Sequence, residues 1–315
     1  MTTTAKSGKS RQQTKPWWSQ RRNRNKVWVG LLGAGLVALI GIFVVLQSGG
    51  DDGASSSSSR FPSIYTFETA DLHSLSFDPS NSQRLVFGHH GGVMASEDGG
   101  KTWNALVDRQ NFDGMNLVFD PQQPQTLYLA GHNVFSRSDD GGATWQAVSH
   151  NLPGLDLHAF GASPVTGGRF YAFALGRGIF ASEGGASEWS PLWPDAPQGT
   201  NSIVEMSDGT LLVGASDKGI FRSEDGGATW QESRGGIDTG LIYSIKGEPA
   251  SRRVYAGTSN GLFVSPDGGR SWSPTALDDA QIVVVGVSPD NPDDVMAIDG
   301  GGRLYRSADG GDTWG

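Results

Sequence analysis

The sequence predicts an all-β protein, a six-bladed β-propeller of repeated units preceded by one transmembrane helix. A Ser-Asp-Gly-Trp pattern recurs at nearly constant spacing through the C-terminal part of the chain. The composition includes 46 Gly and 10 Trp, which favours many short strands joined by tight turns. An uncharged stretch of 20 residues, 27–46, precedes the repeats and is long enough to cross a bilayer.

The N-terminal region predicts a single-pass membrane anchor. Residues 1–26 form a basic arm with eight Lys or Arg and no acidic residue, and residues 27–46 read VWVGLLGAGLVALIGIFVVL. At a rise of ~1.5 Å per residue this helix is about 30 Å long, which matches a hydrocarbon core. The positive-inside rule places the N-terminus in the cytoplasm and the rest outside the plasma membrane. We expect the anchor to stay uncleaved, because signal peptides have shorter apolar regions.

A linker and a folded domain follow the anchor. Residues 47–60, with the run GGDDGASSSSS, lack the apolar content to fold and predict a flexible linker, and residues 61–315 are assigned to the propeller. Outside the basic arm, 16 basic residues face 33 acidic ones, a balance of −17. This acidic charge argues against nucleic acid as a partner, since phosphate binding needs clustered Lys and Arg. With no Cys in the chain, disulfides and thiolate metal sites are excluded.

One eight-residue pattern dominates the predicted propeller. It is Ser96-Glu-Asp-Gly-Gly-Lys-Thr-Trp103 in the first copy, and the third copy, Ser182 to Trp189, is degenerate. Successive Trp residues are 42, 44, 41, 42 and 42 positions apart, a period that suits four short strands per unit. The six are Trp103, Trp145, Trp189, Trp230, Trp272 and Trp314. The five complete copies also contain Asp98, Asp140, Asp225, Asp267 and Asp309.

The SxDGGxTW pattern resembles the Asp-box, or bacterial neuraminidase repeat. The resemblance covers about residue 70 to residue 315 and implies a β-propeller. Similar repeats occur in sialidases, sortilin-type receptors, photosystem II assembly factors and bacterial glycosyl-hydrolase-like proteins, so the resemblance leaves the function open.

The chemistry of the repeat predicts a structural role. The Asp can accept hydrogen bonds from the turn backbone, the Gly pair permits positive φ, and the Trp packs on the neighbouring sheet. We therefore interpret the five repeated Asp residues as turn residues and not as catalytic acids.

The number of strands predicted in the first and last units indicates how the ring closes. In the first unit the four strands are expected at 73–77, 84–88, 93–96 and from Trp103 onward. The last unit ends at Gly315 without a fourth strand, whereas an extra strand-like run, residues 61–67, precedes the first unit. We expect this run to complete the sixth blade and remove an exposed edge.

Several polar residues are predicted to share one face of the ring, where the innermost strands begin and the second strand turns into the third. They are His73, His89, His90, His132, His158, Arg177, Asp299 and Arg303, with Asn133, Asp217, Lys218 and Asn260 in equivalent loops. Such convergence at a funnel mouth is the default hypothesis for a ligand site. The alternative is that these are scattered polar loop residues.

Four histidines are candidate metal ligands. They are His73, His89, His132 and His158, because His suits zinc or copper. Their spacing has no local metal-binding signature such as HExxH, and we predict no cofactor.

Two function classes remain open. A sialidase-like glycoside hydrolase would need a Tyr nucleophile with a Glu partner, for which Tyr243 with Glu205 or Glu232 are available, and an Arg cluster drawing on Arg177 or Arg303. The uniform repeat leaves only short loops, whereas sialidases resemble one another in long loops that build a deep pocket. The sequence therefore favours a monomeric, non-catalytic platform outside the membrane that binds a protein, peptide or glycan. A purely structural cell-envelope protein is the third possibility.

Overall fold

The computed structural model describes residue 1 and residues 59–315, except 70, 110, 111, 238, 239, 249 and 250. The basic arm, the predicted membrane helix and most of the linker lie outside these residues. Within the described part of the chain, no helix is long and apolar enough to cross a membrane. The described residues form 24 strands in six antiparallel sheets of four, beginning with β1 (Tyr65–Thr66).

The first three blades follow in chain order. The first blade contains β2 (Ser74–Asp78), β3 (Asn81–His89), β4 (Gly92–Ser96) and β5 (Asn104–Asp108). The second contains β6 (Asn116–Asp120), β7 (Gln123–Gly131), β8 (Val134–Ser138) and β9 (Gln146–Ala147). The third contains β10 (Leu157–Ala162), β11 (Phe170–Ala174), β12 (Gly178–Ser182) and β13 (Trp189–Trp193).

The last three blades repeat this order. The fourth contains β14 (Thr200–Glu205), β15 (Leu211–Ala215), β16 (Gly219–Ser223) and β17 (Gln231–Ser233). The fifth contains β18 (Ile242–Gly247), β19 (Val254–Thr258), β20 (Gly261–Ser265) and β21 (Ser273–Pro274). The sixth contains β22 (Ile282–Val287), β23 (Val295–Asp299) and β24 (Arg303–Ser307), and its fourth strand is β1. The predicted all-β, six-bladed propeller is thus confirmed.

The ring is closed by the N-terminal strand. β1 pairs antiparallel with β24, with Tyr65 opposite Leu304, so the two ends of the propeller share one sheet. The strand is shorter than the run at 61–67, but Phe67 adds an aromatic contact, its ring stacking 4.0 Å from that of Phe87. The innermost strands contact one another around the ring, and β22 contacts β2.

The hydrophobic core is divided into six clusters, each between two neighbouring blades. The repeated Trp of each blade packs toward the blade before it. Trp103, for example, lies in one cluster with Phe87 of its own blade and with Met296 and Leu304 of the sixth. An aromatic side chain buries ~150–250 Å², which at ~25 cal/mol per Å² corresponds to about 4–6 kcal/mol. These Trp residues are therefore major contacts between blades.

Each complete repeat forms a turn held by its Asp. Asp98 Oδ1 accepts the backbone N–H groups of Thr102 and Lys101, at 2.9 and 3.1 Å, and Oδ2 accepts the Thr102 hydroxyl at 2.7 Å. These bonds, above all that from the Thr102 hydroxyl, lower the pKa of Asp98 to about 2. Gly99 and Gly100 have φ values of 75° and 90°, which only Gly adopts readily. Equivalent hydrogen bonds surround Asp140, Asp225, Asp267 and Asp309.

The Trp indole also joins the turn. In five blades the indole N–H donates to the carbonyl three residues earlier, as from Trp103 to Gly100 at 2.9 Å. In the fifth blade Trp272 donates instead to the Ser233 hydroxyl of the fourth blade, at 2.9 Å. The degenerate third turn has no Asp, and there the Ser182 hydroxyl donates to the Gly185 carbonyl.

Arginine side chains link blades at these turns. Arg84 donates to the Gly141 carbonyl at 2.6 Å, Arg222 to that of Gly268 at 2.8 Å, and Arg306 to that of Gly99 at 3.1 Å. In each case a cation of one blade satisfies the first Gly carbonyl of the next blade's repeat. The turns thus form part of the contact between sheets.

Candidate functional site

The two faces of the ring carry different residues. We call the face where the innermost strands begin the mouth face, and the face of the repeat turns the box face. On the mouth face, His73 before β2 lies beside His90, which follows β3, with Nε2 and Nδ1 3.1 Å apart. On the box face, Arg84 Nε lies 3.0 Å from Glu97 Oε1 in the first repeat turn.

The axis opens at the mouth face through a small cavity. Its volume is about 70 Å³, and its wall contains Leu72 of the first blade together with one residue from the same strand position of each blade. These residues are His73, Met115, His158, Asn201, Tyr243 and Val283. Pockets for drug-sized ligands have volumes of ~300–1,000 Å³. The axial cavity is therefore too small to enclose such a molecule.

Four of the predicted histidines converge on the rim of this cavity. The ring centroids of His73 and His90 are 4.3 Å apart, those of His90 and His132 are 5.9 Å apart, and those of His132 and His158 are 5.1 Å apart. The four rings form a continuous row over the first three blades. We call them, with the three aspartates described next, the rim cluster.

Three aspartates lie between these histidines. They are Asp71, Asp113 and Asp156, each two positions before the axial residue of its blade. His90 Nδ1 is 3.1 Å from Asp71 Oδ1, and His158 Nε2 is 3.0 Å from Asp156 Oδ1. At the equivalent position the other three blades have Gly199, Leu241 and Gln281. At this position the carboxylates are thus confined to the first three blades.

Asp113 is the most deeply buried member of the rim cluster. Its residue is 3% exposed, and Oδ2 lies 2.5 Å from His132 Nδ1. Burial acts to raise the pKa of Asp113, but the hydrogen bond from His132 holds it below the ordinary value. The same bond raises the pKa of His132. Asp113 Oδ1 is buried without a hydrogen-bond partner, and His90 Nε2 is 3.8 Å away.

Two other histidines of the rim cluster favour the neutral form. Burial and the neighbouring His90 lower the pKa of His73 to about 4. Burial also lowers the pKa of His158. Neutral imidazoles beside ionised carboxylates offer lone pairs that can accept hydrogen bonds or bind a cation.

His89 lies outside the rim cluster, although it is adjacent to His90 in sequence. Its Nδ1 accepts the backbone N–H of Gly91 at 3.1 Å, and its ring stacks near Phe87. Burial lowers the pKa of His89. This histidine therefore shapes the loop between β3 and β4.

The remaining predicted site residues also lie apart from the rim cluster. Asp299 is 2% exposed and accepts hydrogen bonds from Arg303 Nε and the Tyr305 hydroxyl, both at 2.9 Å. This group is satisfied within the sixth blade. Arg177 is exposed in the loop after β11. Arg177 and Arg303 therefore do not form the arginine cluster that a sialidase-like site would need.

Two groups of side chains in the described part of the chain have the geometry to hold a metal ion. They are His73 with His90 and Asp113, and His132 with Asp156 and His158. In each group the three ligand atoms lie within 4.8 Å of one another. His90 and Asp113, and not His89, supply the ligand atoms of the first group. The repeat spacing could have identified Asp113 as a site residue, because it follows Asp71 by 42 residues and precedes Asp156 by 43.

A second cavity of about 180 Å³ lies at the box-face end of the axis. Its wall includes the four turn prolines Pro79, Pro121, Pro164 and Pro289, and it is mainly apolar. Lys246 borders both this cavity and the interior of the axis, and burial lowers its pKa to about 8.

Comparison with known proteins places the fold among propellers of different functions. No family model and no curated protein matches the chain in sequence. A GH74 enzyme from Niastella koreensis is similar in structure, with 18% identity, a TM-score of 0.53, and coverage of 78% of this chain and 46% of that chain. The chain thus spans less than half the length of that enzyme.

Two YCF48 structures match over more of their length. YCF48 bound to D1 peptide has 17% identity and a TM-score of 0.55, covering 78% of this chain and 94% of that chain. YCF48 from Cyanidioschyzon merolae has 19% identity and a TM-score of 0.52, covering 82% of this chain and 88% of that chain. At these identities the similarity shows the fold alone.

Proposed function

We propose that this protein is a membrane-anchored, non-catalytic platform that binds a protein or peptide on its mouth face. The observation that carries the proposal is the rim cluster, four histidines and three aspartates on one side of the mouth, of which His73 and His158 line a cavity of about 70 Å³. A polar rim around so small an opening suits a partner that lies across the surface. A small molecule would need a deeper enclosure.

The similarity to YCF48 supports a peptide or protein as the partner. That propeller was solved with D1 peptide bound, and the match covers 94% of its chain. Hydrogen-bond donors and acceptors of the rim cluster suit the polar backbone and charged side chains of a peptide. A glycan remains the second ligand class that such polar groups fit.

Membrane anchoring is part of the proposal. The uncharged stretch 27–46 and the basic arm before it are the features that support it. An anchor of this kind keeps the propeller at an outer membrane surface, either periplasmic or extracellular. The linker at 47–60 then sets how far the mouth face can reach.

A glycoside hydrolase is the alternative, supported by the similarity to a GH74 enzyme. A polar cleft of about 410 Å³ beside the fourth blade is lined by Asp217 and Glu232, two carboxylates as hydrolysis requires. Both already pair with neighbouring cations, Lys218 and Arg234 respectively.

A sialidase-like arrangement of Tyr and Glu is less favoured. The Tyr243 hydroxyl lies 2.5 Å from Gln281 Nε2, whereas Glu205 accepts a hydrogen bond from Tyr171 at 3.0 Å. The two candidates are thus engaged with different partners.

Site-specific photocrosslinking tests the proposed binding face. A photoreactive amino acid replaces Arg177, which is exposed on the mouth face, in the full-length chain expressed in its native cells. The matched control carries the same group at Ala143, which is exposed in the second repeat turn on the box face. We expect one discrete, saturable adduct from position 177 and none from position 143. Equal labelling from both positions would contradict a specific mouth face.

A glycoside assay tests the alternative. The full-length chain in mild detergent is incubated with a panel of aryl glycosides that includes sialosides, in parallel with Glu232→Gln. The proposal predicts no turnover by either protein. Turnover by the unmodified chain that disappears in Glu232→Gln would replace the binding platform with a hydrolase.

A further inference from the structure

The rim of the first two blades holds a buried carboxylate oxygen that lacks a hydrogen-bond partner. It is Asp113 Oδ1, and it faces His90 Nε2 across 3.8 Å. This distance exceeds the ~2.7–3.2 Å of an N–H···O hydrogen bond. Leaving a buried acceptor unsatisfied is destabilising, and more so for a charged group, because its lost hydration is not replaced. A cation placed between the two atoms would remove this cost.

The hydrogen bonds around His90 and Asp113 leave two lone pairs facing each other. His90 Nδ1 lies 3.1 Å from both Asp71 Oδ1 and His73 Nε2. Because the carboxylate can only accept, we assign the proton of the neutral His90 ring to Nδ1. His90 Nε2 then keeps its lone pair toward Asp113 Oδ1. The other oxygen of Asp113 is held by His132. A carboxylate that fixes the far nitrogen of a histidine is the usual second shell of a metal ligand.

His73 supplies a third donor. Its Nε2 is 3.1 Å from His90 Nδ1, which is not the His90 nitrogen that faces Asp113. One ligand atom from each of His73, His90 and Asp113 lies within 4.8 Å of the others. In a tetrahedral zinc site with bonds of ~2.1 Å, ligand atoms are about 3.4 Å apart. The 3.8 Å gap between His90 Nε2 and Asp113 Oδ1 is close to this value, and His73 belongs to the group whose ligand atoms all lie within 4.8 Å of one another.

We propose that the mouth face binds one divalent transition metal ion of the zinc class through His73, His90 and Asp113. Two imidazole nitrogens and one carboxylate oxygen are a donor set that zinc accepts, and it leaves a position for water or another ligand. His90 is partly exposed and gives the ion a route from solvent. Asp71 and His132 are positioning residues, because Asp71 Oδ1 lies 3.1 Å from His90 Nδ1 and His132 Nδ1 is hydrogen-bonded to Asp113 Oδ2.

The neighbouring group of His132, Asp156 and His158 is the competing position. There Asp156 Oδ1 is already 3.0 Å from His158 Nε2, and the Asp156 side chain is 43% exposed. Water can solvate the Asp156 carboxylate. Neither of its oxygens is buried without a hydrogen-bond partner. The first ion is therefore expected in the group that contains Asp113.

Metal titration of the full-length chain in mild detergent tests the proposal. After chelator stripping, Zn²⁺ is titrated against a chromophoric competitor, and Co²⁺ is added separately so that its visible absorption reports the ligand geometry. We expect one equivalent to bind saturably, His90→Gln to lose this binding, and His132→Gln to bind about 10–100-fold more weakly. The matched control is His150→Gln, outside the rim cluster, which keeps full binding.

Three results would overturn the proposal. They are the absence of saturable binding to the unmodified chain, retention of one equivalent by His90→Gln, and loss of binding in His158→Gln with His90→Gln unaffected. His90 is partly exposed, so its variant is expected to fold, and far-ultraviolet circular dichroism verifies this. The titration contains no binding partner. A failure to bind metal would therefore not decide whether position 177 crosslinks to a partner.

Discussion

The box face and the mouth face are built on the same repeat but use it in opposite ways. On the box face the same Ser, Asp and Gly contacts recur in five turns, and arginines link several of these turns to the preceding blade. On the mouth face the equivalent positions differ from blade to blade, from Asp71, Asp113 and Asp156 to Gly199, Leu241 and Gln281.

This difference separates the residues that stabilise the ring from those that are available for function. The polar atoms of the repeat turns are satisfied within the turns, as at Asp98. The rim cluster instead contains Asp113 Oδ1, which no neighbour satisfies. Loop side chains that do not help to close the ring can differ from blade to blade, as is common for loops on a rigid scaffold.

Removing the aromatic contact at the ring closure should have the largest effect on stability. Phe67 is 4% exposed and packs in one cluster with Phe87, Trp103 and Leu304. Phe67→Ala is expected to lower the free energy of unfolding by about 3–5 kcal/mol, because it leaves a cavity where the two ends of the ring meet. Urea unfolding followed by Trp fluorescence measures this change.

The exposed neighbour Glu68 provides the matched control for this variant. Glu68→Ala should stay within about 0.5 kcal/mol of the unmodified chain. An equally small loss for Phe67→Ala would mean that the ring does not depend on its N-terminal strand.

Acid should weaken the repeat turns in a defined pH window. The pKa of Asp98 is about 2 in the folded chain, below its unfolded value of about 3.9. Its ionised form therefore stabilises the fold above pH ~4, and this contribution is lost as the pH falls toward 2. Thermal melting of Asp98→Asn should show a lower midpoint at pH 6 and a smaller loss on acidification than the unmodified chain. Asp312→Asn, exposed in the last turn, should retain the full acid dependence.

Changing the mouth face should have the smallest effect on stability. The side chain of His90 is 36% exposed, so His90→Gln is expected to change the free energy of unfolding by no more than about 0.5 kcal/mol. A loss comparable to that of Phe67→Ala in the same urea experiment would show that the rim cluster is structural.

Much of the fold is predictable from the sequence because the repeat has both a fixed period and a turn chemistry. Counting strands gives six blades and an N-terminal fourth strand for the last, and β1 pairs with β24. Strand ends are less predictable. β2 begins at Ser74 rather than His73, and β5 at Asn104 rather than Trp103, because the indole of Trp103 is used within its turn.

The candidate site is only partly predictable. The sequence places histidines at the mouth, but His89 and His90 are adjacent, and only the fold shows which ring reaches the rim. Asp113 is harder to identify, because its burial and its unsatisfied oxygen depend on His90 and His132 from other segments. The sequence predicts Asp299 and Arg303 as ligand-binding residues of the mouth face, yet their side chains form an ion pair with each other.

The most direct test of the division between the two faces measures binding and stability on one protein. The single variant His90→Gln is prepared with the photoreactive group at position 177. We predict that the discrete adduct is lost while the urea midpoint stays close to that of the unmodified chain. An adduct of unchanged yield would contradict a role for the rim cluster in binding.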